Sequence, residues 1–74
     1  MEKEQIIKMM EEELNYQLNA RETHFNNAEE HMRNGHIEWA EAQYKMSDEA
    51  HAVVVSLSKI LNTIKMVDNT QLPF

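Results

Sequence analysis

Arg33-Asn34-Gly35-His36-Ile37 is the stretch that decides the fold. Gly35 is the only Gly of the chain, and the only Pro, Pro73, stands next to last. Gly and Pro are the strongest breakers of helices. Two breaker-free runs of nearly equal length, Glu2 to Arg33 and Ile37 to Val67, therefore flank a single Asn-Gly. That dipeptide suits a left-handed helix C-cap. Arg33 sits where the first helix ends in negative potential, and Glu38 and Glu41 suit the positive start of the second. The expected architecture is all-α. A helix covers about 2–33, a turn 34–36 and a second helix about 37–67, so that 1–67 form a hairpin and 68–74 an extended tail.

Both runs repeat apolar residues at helical spacing. In the first, Ile7, Met10, Leu14, Leu18, Phe25, Ala28 and Met32 follow one another at steps of three, four and once seven, with Arg21 filling the gap. The second is apolar over a wider arc. Its three columns are Ala40-Ser47-Val54-Leu61, Ala50-Leu57-Ile64 and Trp39-Met46-Val53-Ile60-Val67, each stepping by seven. Val53 to Val55 alone would suggest a strand. The surrounding Ala, Glu, Lys and Leu, with no turn signal before Val67, favour helix.

Helices of this length are roughly 46 Å long at 1.5 Å per residue. A compact globule of this size is only about 30 Å across, so the hairpin is a rod. Partners across it have residue numbers summing to about 70, twice the position of the turn. That sets Ile7 by Ile64, Leu14 by Leu57, Leu18 by Val53 and Phe25 by Met46, and brings Arg21 level with Glu49 as a register-fixing ion pair. Three apolar columns exceed what one partner helix covers. The hairpin is therefore expected to dimerise into an antiparallel four-helix bundle, with Val54, Leu57, Leu61 and Ile64 in the interface.

Composition narrows function. The absence of Cys excludes a disulfide framework, a thiolate metal site and a Cys nucleophile. A net charge of −6, with scattered basic residues, opposes direct nucleic-acid binding. The longest apolar run, Ala52 to Val55, is far short of the roughly 20 residues of a membrane span. Met1-Glu2-Lys3-Glu4 does not open a signal peptide, so the expected location is the cytoplasm. One Gly cannot make a phosphate loop, and Ser47, Ser56 and Ser58 have no strained turn to expose them. No catalytic residue, cofactor or metal ion is assigned, and enzyme activity is not expected.

Four His residues carry the alternative reading, a helical-bundle metal-binding protein or phosphocarrier acting through His24, His31 or His51. Bundle metal sites favour Glu-x-x-His, and only His51 has an acid, Asp48, at that offset. The helix–Gly–helix pattern is similar to that of the helical sugar-transport phosphocarriers. Bundles that relay phosphoryl groups expose one imidazole on a helix face, for which His51 is the candidate, although Asp48 and Glu49 would repel a phosphate.

Two features remain for binding. Trp39 and Tyr44, with Phe25 across from them, make a candidate aromatic patch near the turn. The tail Gln71-Leu72-Pro73-Phe74 resembles a shortened form of the peptide that bacterial sliding clamps bind, which implies insertion of Leu72 and Phe74 into apolar pockets. The expected function is that of a small non-enzymatic regulator or inhibitor, of bacterial or phage style. It would bind a cytoplasmic protein through Trp39, Tyr44, Leu72 and Phe74.

Overall fold

The structure, a computed structural model, describes residues 2–67. It contains two helices, α1 (Lys3–Arg33) and α2 (Ile37–Met66), packed against each other as a hairpin. Cross-helix pairs run Lys3–Val67, Glu11–Lys65, Arg21–His51 and Phe25–Tyr44, so numbers rise on α1 as they fall on α2. The helices are antiparallel. The body measures 55 × 15 × 14 Å, and its radius of gyration is 16.4 Å. A compact chain of this length would have about 11 Å. Val53 to Val55 lie inside α2.

The turn is built by the backbone of Asn34-Gly35. Gly35 has φ 77°, in the left-handed region that a Cβ disfavours. Its N–H donates to the Met32 carbonyl at 3.1 Å, and the His36 N–H reaches back to the His31 carbonyl at 2.8 Å. These two bonds form a Schellman motif, which satisfies carbonyls that the end of α1 would otherwise leave unpaired. The chain then enters α2 at once. The His36 side chain makes no capping bond, and its carbonyl accepts the Ala40 N–H at 3.0 Å. At the other end of α1, the Gln5 side chain accepts the Glu2 N–H at 3.3 Å and closes the first turn.

The seam between the helices changes character along its length. Near the turn it is made of small residues: Ala28 and Ala40 are wholly inaccessible, and Ala50 and Ser47 are buried. Ser47 donates its hydroxyl to the Arg21 carbonyl at 3.0 Å, so one helix bonds directly to the backbone of the other. Towards the termini the seam widens to Val54, Leu61 and Ile64 on α2, set against the half-buried Ile7, Met10 and Leu14 of α1. Two of the three columns of α2 thus face α1. The interface set expected between copies lies largely here. Val54, Leu61 and Ile64 are covered by the chain's own first helix, and Leu57 is half-buried. The reason is geometric, since one helix covers the two central columns and leaves the third outside.

Two stability predictions follow from this geometry. Gly35→Ala should cost about 1–2 kcal/mol, all of it backbone strain, because a Cβ built there meets nothing within 4 Å. Urea unfolding followed by circular dichroism measures the cost, with native helical content unchanged. Leu61→Ala, at a position 5% exposed, should cost about 2–5 kcal/mol, and Leu57→Ala distinctly less.

Candidate functional site

The two long flanks of the hairpin are chemically different. On one, Tyr44, His51 and Lys65 of α2 meet α1 through polar and aromatic contacts. Lys65 Nζ lies 3.7 Å from Glu11 Oε2. Arg21 Nη1 donates to His51 Nδ1 at 3.0 Å. Tyr44 donates its hydroxyl to Glu29 Oε1 at 3.0 Å, and Phe25 meets the Tyr44 ring edge-on with centroids 5.7 Å apart. This flank is cross-linked.

The opposite flank is open. Trp39, Met46, Val53 and Ile60 climb α2 in steps of seven and remain 60, 45, 39 and 50% exposed. At mid-length a groove runs between the helices, lined by Tyr16, Gln17, Ala20 and His24 of α1 and by Met46, Glu49, Ala50 and Val53 of α2. Ala20 and Ala50 lack bulk, which leaves the hollow. His24 Nδ1 donates to Gln43 Oε1 at 2.7 Å across the seam. Gln17 Nε2 donates to Glu13 Oε1 at 2.9 Å, one turn back along α1.

The turn pole is an aromatic cap. Trp39 meets His36 edge-on at 4.6 Å and His31 at 5.5 Å between ring centroids. His31 and His36 are also joined by one of the two Schellman bonds, so the cap sits directly on the turn. Edge-to-face aromatic contacts of this kind contribute about 0.5–1.5 kcal/mol each.

The structure separates Trp39 from Tyr44. Five residues apart on one helix is about 140° around its axis, and their contacts are distinct: Trp39 with His31 and His36, Tyr44 with Phe25 and Glu29. Tyr44 belongs to the cross-linked flank and Trp39 to the open one. They do not form one patch. Leu72 and Phe74 lie outside the described residues. The expected Arg21–Glu49 pair is replaced by Arg21–His51, because Glu49 lines the groove on the other flank while His51 lies about 200° further round α2. Tyr16, Met46 and Val53 were not singled out for binding, yet they wall the groove; Tyr16 alone, 66% exposed, signalled a large side chain off the apolar stripe.

Among the described residues, no three His or carboxylate side chains converge to hold a metal ion. No helix among them is long and apolar enough to cross a membrane. The fold and its flanks define a helical hairpin with one closed side and one open side. The chain matches no protein-family model, no curated protein and no solved structure.

One titration follows from the closed flank. Partial desolvation first, and then the hydrogen bond and negative charge of Glu29, raise the Tyr44 pKa above the ordinary 10.0. The folded state therefore holds this proton more tightly than the unfolded chain. The associated stability is complete below the unfolded value and is lost as pH rises through the folded one. In a Tyr16→Phe background, where Tyr44 is the only Tyr left, Glu29→Gln should lower the phenolate midpoint measured by ultraviolet absorbance.

Proposed function

We propose that this protein is a small non-enzymatic binding module, a regulator or inhibitor that acts by seating its open flank against another cytoplasmic protein. The observation that carries this reading is the column Trp39, Met46, Val53 and Ile60, exposed on one side of a groove while the opposite flank is closed by cross-helix bonds. A contiguous apolar surface rimmed by polar residues is the usual mark of a protein-contact site. Trp is also the residue type most enriched among interface hot spots.

A four-helix dimer is a second use of the same flank. One partner helix leaves the column Trp39, Met46, Val53 and Ile60 of α2 exposed, and a second copy of the hairpin would cover it. The histidine alternative draws on Arg21 at 3.0 Å from an exposed His51, a cation beside an imidazole. Asp48 and Glu49 beside it oppose an incoming phosphate.

Val53→Glu places a charge in the middle of the open flank, at the wall of the groove and outside the buried residues of the seam. Immobilised wild-type protein should retain a specific partner from host lysate, the variant should lose it, and their circular dichroism spectra should coincide. Equal retention by both overturns the reading. Sedimentation at tens of micromolar reads the dimer directly, and His51→Gln tests phosphoryl transfer from a phosphorylated donor protein.

A further inference from the structure

We infer that Asn34-Gly35 is a self-modification site, at which Asn34 deamidates to a β-linked isoaspartate at a rate set by opening of the turn. The dipeptide supplies the chemistry. The Gly35 backbone nitrogen loses its proton to water and attacks the side-chain carbonyl carbon of Asn34. A bond from that nitrogen to Cγ forms and the bond from Cγ to Nδ2 breaks. The leaving amide takes up a proton in return and departs as ammonia. Water then opens the five-membered succinimide. Attack at Cγ leaves Asp, whereas attack at the backbone carbonyl leaves a main chain that runs through Cβ and Cγ.

The attacking nitrogen must be unhindered, and here alone it is. Every other Asn is followed by a side chain, that of Tyr16, Ala20, Asn27, Ala28, Thr63 or Thr70. Asn15, Asn19, Asn26, Asn27 and Asn62 also lie inside α1 or α2, where the following N–H is tied into the helical ladder. Asn34 and Gly35 are both exposed, and the space beside the Gly35 Cα is empty to 4 Å. Water reaches the bond.

The closed turn holds the reaction back. Asn34 has ψ 2°, which eclipses the Gly35 nitrogen with the nitrogen of Asn34 itself. Ring closure needs it eclipsed with Cβ, a rotation of about 120°, the spacing of substituents round a tetrahedral carbon. The Gly35 N–H is also engaged by the Met32 carbonyl at 3.1 Å. Both restraints end when the Schellman motif opens. Trp39 packs on His31 and His36, whose backbone bond is the other half of that motif, so the aromatic cap acts as a latch. Opening there is local, since it breaks bonds at one pole and leaves the aliphatic seam packed. The product cannot close the same turn. Isoaspartate inserts a methylene into the main chain, which moves the Gly35 and His36 N–H groups off their carbonyls, and its new carboxylate stands at the negative end of α1.

The test ages the full chain at mildly alkaline pH and follows it by mass spectrometry with peptide mapping. The mass gain of an amide-to-acid exchange should appear at Asn34 and at no other helical Asn, with isoaspartate identified by enzymatic methylation. Guanidinium should speed it at least about tenfold, because the folded turn is closed most of the time. Asn34→Gln, whose longer side chain closes only a six-membered ring, should show no gain there. Trp39→Ala should speed the folded protein severalfold. Leu61→Ala should not, nor the milder Leu57→Ala where the first fails to fold, with circular dichroism establishing which variants are folded. The separated isoaspartyl chain should unfold at a lower denaturant concentration than the unmodified one. No gain at Asn34 in guanidinium overturns the site. Equal rates with and without denaturant overturn the control by the turn. Acceleration by a seam variant but not by Trp39→Ala overturns the latch, and equal unfolding midpoints overturn the loss of the turn.

Discussion

Two helices packed only on each other cannot withdraw a large side chain completely from water, and the rest of this structure follows from that limit. Among the described residues no large side chain is fully buried, and the two wholly inaccessible positions are alanines, Ala28 and Ala40. Small residues permit close approach but contribute little apolar area, at about 25 cal/mol per Å² removed from water. Ser47 adds a bond from one helix to the backbone of the other, the kind of contact that fixes register more than it adds stability. The aliphatic half of the seam, Val54, Leu61 and Ile64, therefore contributes most of the burial.

The flanks divide what remains. On one, Lys65–Glu11, Arg21–His51 and the Phe25–Tyr44–Glu29 contact span the helices. Exposed pairs of this sort are worth little individually, on the order of 0–1 kcal/mol, and Phe25, Met32 and Ile37 stay 47, 46 and 54% exposed at the turn end of that side. On the other, apolar side chains stand in a column beside a groove that Glu49 lines. A free hairpin gains nothing from that column. The proposed binding role rests on its exposure.

The hairpin was legible because its signal is a contrast that one residue creates. A single Gly at a φ of 77°, between two long runs without Gly or Pro, leaves few other folds. The buried columns were legible from the steps of seven, and the seam follows two of the three. The third column looked equivalent in sequence and is not, since choosing which columns face inward depends on where α1 lies. The same missing angle joined Trp39 to Tyr44, neighbours along the chain that stand on different flanks. It also paired Arg21 with Glu49, at the right height but on the wrong side, where His51 is the residue that the helical twist delivers. Height along a rod can be counted from the turn. Azimuth around it requires the packing.

The contact at the far end from the turn has a consequence of another kind. Lys3 Nζ donates to the Val67 carbonyl at 2.6 Å, holding the first turn of α1 against the end of α2. Entry and exit therefore leave the rod side by side, at one pole of a body 55 Å long. Any polypeptide joined to either end starts from the same place, and the His-Trp cap stands at the opposite pole. A unit with adjacent ends can be spliced into a surface loop of a host protein without prying that loop apart. Grafted so, it would project like a mast, its open flank running the length of the shaft.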